Sequence, residues 1–435
     1  MASEVNAGIE SSLQWLKSSS DGSFEQQLSV LSNLVELSSS LKVQSLESIR
    51  PALAYCPSNN VQQLRIYRGI LLVIRNLAPS LNPDYFPLVI QSFHEIWKLE
   101  VNEWVIKIRQ VYWEVLANFQ RNQYVVSIND LFSWSDLDFP SPVIHFLFRQ
   151  FYTEDLDVTN ESLLRLLKIK ENHVLGAIQK LFLKVDFENV DHDSKMFVHL
   201  LYDIITHESF SNWVNQQIEE VKIQWLDLTA IVVQTKEDWN NFQLLGLLIW
   251  VESIYSEYAP KLNPETIKEE TLERVLSNVL QIFAELAKFK ATVQYFEHNS
   301  EFLPRLISIF KVIHDNVKRL AMKSKIEEVV NYSHVKSYII IILSYYCYKS
   351  FQNQECIREI GGLSLVLSNC QIDENNPFIK EQAILCVKYL LDQNSKNQQF
   401  VADLEAQKTV DDSVLQEVGY KVDIVDGKVS INKRT

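Results

Sequence analysis

Glycine and proline are scarce in this chain of 435 residues, at 9 and 11. An α/β or all-β fold spends more of both on its turns, so the shortage argues against those classes. The cysteines are five, Cys56, Cys347, Cys356, Cys370 and Cys386, an odd set with no C-x-x-C pair. That excludes a disulfide framework and favours a reducing compartment. Basic residues are outnumbered, 41 against 55 acidic ones, which leaves a net charge of −14. A nucleic-acid binder needs a basic face, and an anionic membrane surface repels such a chain, so neither is expected as a partner. The longest apolar runs, Leu244–Tyr255 (broken by Glu252) and Tyr338–Tyr348, are about half the ~20 residues that cross a bilayer, so no membrane insertion is expected. The polar start, Met1 to Glu10, has no signal-peptide pattern.

Signatures of catalysis are missing too. Phosphate-cradling loops need clustered glycine, and neither G-x-G-x-x-G nor G-x-x-x-x-G-K-[ST] occurs. H-E-x-x-H and G-x-S-x-G are absent, and Gly362-Leu-Ser-Leu lacks the closing glycine. The chain therefore reads as a non-enzyme without a cofactor. Asp191-His192-Asp193 could form a metal trio, but adjacent side chains rarely converge on one ion, and a solvated acidic loop is the better reading. Glu269-Glu270 and Glu327-Glu328 diverge on helices and do not pair for acid–base work.

What is present is apolar and helical. Hydrophobic residues make up 47% and charged residues 22%, ample for a sizeable core. Phe24, Leu28, Leu31, Leu34 and Val35 recur at i, i+3, i+4 and i+7, as do Leu64, Tyr67, Leu71 and Ile74. Similar stripes continue to about residue 400. Trp97, Trp104, Trp113 and Trp250 fit such stripes and read as core, with one or two left for a groove. The spacing also repeats on a longer scale. Ile74-Arg-Asn-Leu-Ala78 resembles Leu116-Ala-Asn-Phe-Gln120 after 42 residues, and Leu286-Ala-Lys-Phe-Lys290 follows 170 further on. Tyr345–Gln354 matches Tyr389–Gln398 at a spacing of 44. Periods of about 40–47 residues belong to armadillo and HEAT arrays, whose units bury their apolar faces only by stacking. The fold class expected is all-α, an armadillo/HEAT-like α-solenoid.

Composition divides the chain into repeats over 1–190, repeats over 191–410, and a tail over 411–435. The boundary falls at the acidic run Val185–Ser194. Residues 311–336, with Lys311, Lys318, Arg319, Lys323, Lys325 and Lys336, read as an inserted, partly exposed basic stretch. In the tail, Asp426-Gly427 between alternating apolar residues signals a small hairpin.

The most specific segment is Val335–Val401. Gly361-Gly362 can stop a short helix ending at Ile360, since glycine takes the left-handed position freely. Asp373–Pro377 reads as a loop delivering Asn376 as N-cap and Pro377 as first helical residue. Cys347-Tyr348-Lys349, Asn353-Gln354, Arg358–Leu363, Leu367–Cys370, Ile372-Asp373, Asn375–Ile379 and Asn397-Gln398 together resemble the signature domain of the ataxin-10 family. The tail, with Gly419 and Asp426-Gly427-Lys428, resembles the end of that family, and the whole chain its shorter fungal members. The resemblance implies an armadillo-like solenoid in the cytoplasm and a scaffold role in cytokinesis and cell division. A copper-transport designation attached to the fungal members implies, as the alternative, copper handling or metal homeostasis. Copper(I) prefers clustered thiolates or thioethers, whereas this chain has three methionines and its C-terminal cysteines stand 9, 14 and 16 residues apart. Buried structural cysteine is the better reading.

The expected partner is another protein, held along a groove lined by the third helix of each repeat; self-association is left open. Arg75, Asn76 and Asn118 are the candidate groove residues. Where armadillo repeats tend to place asparagine, the C-terminal repeat has Tyr345. Arg358, Asn375, Asn376 and Phe378 are candidates for a second surface in the signature segment. Removing Asn76 and Asn118 together is expected to weaken partner capture with little effect on stability.

Overall fold

The structure, a computed structural model, describes residues 1–18, 23–120, 124–185, 191–320, 332–404, 420–425 and 428–433. Two compact units divide the chain, Met1–Trp250 and Val251–Thr435.

Unit 1 opens with α1 (Ala2–Ser18), α2 (Phe24–Ser38), α3 (Ile49–Ala54) and α4 (Val61–Leu77). It continues with α5 (Tyr85–Trp97), α6 (Glu103–Asn118), α7 (Val125–Trp134) and α8 (Pro140–Phe151). Then come α9 (Leu156–Leu167), α10 (His173–Phe182), α11 (His192–Thr206), α12 (Phe210–Asn215), α13 (Glu219–Gln234) and α14 (Asn241–Tyr258). The unit boundary lies inside α14, not near residue 190. Helices from both sides of the acidic run, α10 and α11, pack on α13 and so belong to one body. Residues 186–190 lie outside the described residues.

Unit 2 holds the rest of α14, then α15 (Glu270–Leu286), α16 (Lys290–His298), α17 (Phe302–Asn316) and α18 (Val335–Cys347). It ends with α19 (Phe351–Glu359), α20 (Gly362–Ser368), α21 (Ile379–Leu391) and α22 (Ser395–Asp403). In the tail, β1 (Tyr420–Val425) pairs antiparallel with β2 (Lys428–Lys433), Val425 opposite Lys428. The turn residues Asp426 and Gly427 lie outside the described residues.

Side-chain amides start several helices: Asn60 accepts from the Gln62 and Gln63 N–H groups, and Asn102 from those of Trp104 and Val105. Each satisfies donors that have no partner inside the helix, an effect of about 1 kcal/mol. The apolar stripes then bury against neighbours. Leu64, Tyr67, Leu71 and Ile74 of α4 are fully buried, as are Trp113 and Trp250. A polar knot sits in this core, where the Tyr67 hydroxyl meets Tyr112 at 2.7 Å and Ser92 at 3.1 Å. Burial pushes the Tyr67 phenol up to about 12, so it stays neutral.

The repeat period is visible as hydrogen bonds between equivalent places in successive units. Asn76 reaches Val35 over 41 residues, Asn118 reaches Arg75 over 43, and the Trp250 indole reaches Ile205 over 45. Each unit is thus a stack of helical repeats of armadillo/HEAT type, in an all-α chain apart from the two tail strands. The third helices form a row, with α2 on α4, α4 on α6, α6 on α8 and α8 on α11. Where α11 meets α14 the backbones nearly touch, and a Cβ at Gly246 would overlap the Thr206 carbonyl oxygen. In unit 2 the corresponding row is α15, α18 and α21.

A second, longer echo joins the two units. Ala78-Pro-Ser-Leu-Asn-Pro-Asp84 and Ala259-Pro-Lys-Leu-Asn-Pro-Glu265 stand 181 residues apart. Each follows a long helix with a 3-10 turn, closed by Leu81 N–H on Ala78 O or Leu262 N–H on Ala259 O. In each, the asparagine Oδ1 then accepts from the backbone two residues on, at 2.9 Å for Asp84 and 2.8 Å for Glu265.

Candidate protein-binding groove

In unit 1 the row α4, α6, α8 and α11 encloses a concavity of about 1100 Å³. Its lining includes Arg75, Glu114, Asn118, His145, Arg149, Tyr152, His192 and Met196. These residues occur at third-helix spacing because a helix packed on both sides leaves one stripe free. Most of the polar groups are already engaged. Arg75 donates to Glu114 at 2.8 Å, and Arg149 to the Ala117 carbonyl at 3.1 Å. His145 faces Asp193 at 2.7 Å, tying α8 to α11. Phe148 and Tyr152 stack at 4.3 Å and supply an apolar wall. The acidic trio therefore begins a helix: Asp191 caps α11 through Ser194 N–H, Asp193 holds His145, and His192 lines the concavity.

The two asparagines read from the sequence lie in this row but point along it. Asn76 spends its amide on the Val35 carbonyl at 2.8 Å and the Ser38 hydroxyl at 3.1 Å, and its oxygen accepts from Arg75. Asn118 donates to the Arg75 carbonyl at 3.2 Å. Both satisfy helix C-terminal carbonyls of the preceding repeat, a structural task. Only Asn118 also lines the concavity.

Farther along α11, a smaller concavity of about 510 Å³ is lined by Lys195, His199, Tyr202 and Lys236. Lys236 lies over the rings of Tyr202 and Trp239 at 4.8 and 4.7 Å. Burial lifts the nearby Asp203 carboxyl to about 6, while Lys236 pulls it the other way. Burial likewise lowers the Lys236 ammonium.

The signature segment of unit 2 is organised inward. Asn376 is fully buried, and its Oδ1 accepts from Lys336 N–H at 3.1 Å and Ser337 N–H at 3.4 Å. It caps α18, not α21. The position before α21 is held by Phe378, left-handed at φ 64°, and the helix starts at Ile379, so Pro377 lies outside it. Asn375 is also buried, and its carbonyl accepts from His334 N–H at 2.9 Å. Neither asparagine can meet a partner. Arg358 is paired with Glu355 at 3.1 Å and Glu359 at 3.3 Å. Phe378 is 76% exposed, while Arg358 keeps a part-exposed guanidinium already committed to these two glutamates. Gly361, at φ 85°, does separate α19 from α20.

Lys336 departs from the basic stretch expected there. It is 3% exposed, 3.5 Å from Asp373, and donates to the Val317 carbonyl. Burial lowers its ammonium and Asp373 opposes that. Asp373 in turn accepts from the Leu320 and Asn375 N–H groups, fastening residues 317–320 beside the loop. Lys311 sits in α17, and Lys323, Lys325, Glu327 and Glu328 lie outside the described residues.

The match at a spacing of 44 is one device used twice. Asn353 and Gln354 donate to the Tyr346 and Cys347 carbonyls seven residues back, and Asn397 and Gln398 do the same to Leu390 and Leu391. The polar residues that make the segment recognisable close helix corners.

Cys347 and Cys386 are buried on the packed helices α18 and α21. The adjacent Cys386 thiol and burial push the Cys347 thiol well up, which disfavours the thiolate that metals and oxidants need. Among the described residues, no three His, Cys, Asp or Glu side chains are placed to hold a metal ion. No helix among them is long and apolar enough to cross a membrane.

The fold and groove define an armadillo-type helical-repeat protein. Residues 335–432 match the Spinocerebellar ataxia type 10 protein domain, beginning at the Val335 where the recognisable segment begins and running on into the tail. The ataxin-10 homolog of Candida albicans is 52% identical over 99% of both chains. That of Debaryomyces hansenii is 37% identical over 85% of this chain and 80% of its own. Human ataxin-10 is 30% identical over 46% of each. The chain belongs to the ataxin-10 family. A designed armadillo repeat protein of known structure aligns over 56% of this chain and 98% of its own, with 12% identity and a TM-score of 0.30, too distant to support any argument.

Proposed function

We propose that this protein is a non-enzymatic scaffold of the cytoplasm that holds a segment of a partner protein in the unit 1 groove and serves cell division, cytokinesis in particular. The supporting observation is the concavity of about 1100 Å³ between α4, α6, α8 and α11, walled by Phe148 and Tyr152 and edged by the Arg75–Glu114 ion pair. Repeat arrays use such surfaces for extended partners. Family membership supports the cellular role. A photo-crosslinking residue at Gln110 or Ser141, both in the lining, is expected to trap discrete partners in cell extract. The same residue at Val126, exposed but outside the lining, is expected not to. Equal trapping from both positions would sink the groove reading. Loss of cytokinetic localisation on blocking the groove would tie it to division.

A further inference from the structure

Arg65 and Arg68 share one stripe of α4 with Leu72 and Arg75, and Arg75 lines the groove. The Arg65 guanidinium lies 4.9 Å from the ring centre of Phe24 on α2 and 5.4 Å from that of Trp104 on α6. Aromatic faces fix the plane of the cation and leave its N–H edges directed elsewhere. No acceptor for those edges is present among the described residues. The Arg68 Nε is buried and has no hydrogen-bond partner. Other arginines of this protein carry a carboxylate or carbonyl on their terminal N–H groups: Arg165 has Glu161, Arg358 has Glu355, and Arg109 has the Trp97 carbonyl, although the Nε atoms of Arg109 and Arg358 are buried without a partner as that of Arg68 is. Nor can the neighbouring acids serve here, since Glu103 is held by Lys107 at 2.5 Å and Glu114 by Arg75 at 2.8 Å.

We propose that the stripe of α4 between α2 and α6, which leads from Arg65 and Arg68 to the groove residue Arg75, is a carboxylate-reading lane, in which Arg65 and Arg68 bind an Asp/Glu-rich segment of a partner protein held in the groove. The inference rests on the groove reading above. A planar guanidinium with free edges matches a carboxylate through two parallel hydrogen bonds. The lane is local: a net charge of −14 repels a long polyanion, whereas two ordered arginines suit a short acidic stretch.

The test is selection of random displayed peptides on the full chain, followed by fluorescence anisotropy of the selected peptides. Enrichment in Asp and Glu is expected. Arg65→Gln with Arg68→Gln should weaken the selected peptides by roughly tenfold or more, and Arg65→Lys with Arg68→Lys should restore part of that. Should the Gln variant melt early, the wild-type chain still decides, by comparing each peptide with its Asn/Gln counterpart. Peptides without acidic excess, bound equally by the Gln variant, would overturn the lane and leave the groove reading intact. Failure to select any peptide would overturn both. Tighter binding of a single-stranded oligonucleotide than of the peptides would overturn the lane as a protein site.

Discussion

Asn376, in the loop before α21, accepts the backbone N–H of Lys336 at 3.1 Å and thereby starts a helix forty residues earlier in the chain. Its Nδ2 donates to Asp373 at 3.0 Å, so one buried amide joins the α18 cap to the Lys336–Asp373 pair.

Asn376→Ala is therefore expected to cost about 2–4 kcal/mol, combining a lost cap with an acceptor and donors left unsatisfied in the core. Chemical denaturation measures it. A cost near zero would mean that water replaces the amide.

Asn76→Ala with Asn118→Ala is expected to lower stability by about 1–3 kcal/mol, because both amides serve carbonyls of the preceding repeat. Thermal melting of the double variant checks this. An unchanged melt with lost partner binding would restore the ligand-clamping role that the sequence pattern implies.

Asp203 gives a pH signature. Its folded value of about 6 lies above the ordinary 3.8, so the folded state holds the proton more tightly. Its contribution to stability is then greatest below about pH 4, declines between pH 4 and 6, and stays lost above. Asp203→Asn should raise stability at neutral pH by about 1–2 kcal/mol and flatten that decline. Denaturant midpoints across pH decide the matter, and a variant less stable than wild type at pH 7 would refute it.

The helical class was legible because stripes such as Leu64, Tyr67, Leu71 and Ile74 carry their period in every turn. The array was legible because Asn76 and Asn118 repeat a bond as well as a spacing. The site was less so. Sequence distance does not show which N–H an asparagine faces, and Asn376 sits one residue before a proline, where an N-cap is the natural assignment. The long-range contact with Lys336 outweighs that local preference. Arg65 carried no signal, since its partners Phe24 and Trp104 meet it only after stacking. The Ala-Pro-x-Leu-Asn-Pro echo was readable, but its spacing of 181 residues lies far outside a single repeat period.

The seven-residue bonds from Asn353 and Asn397 back to Tyr346 and Leu390 have a further consequence for how this chain can vary. A donor that must reach a carbonyl seven positions earlier fixes the length of the corner between them. One residue gained or lost there would turn the amide away and strand the helix end. The approach to α18 is held differently, by Lys336, Asp373 and Leu320, whose grip does not depend on how many residues separate 320 from 332. Insertions accumulated over descent should therefore be tolerated before α18 and purged from the two corners, where the amide acts as a ruler.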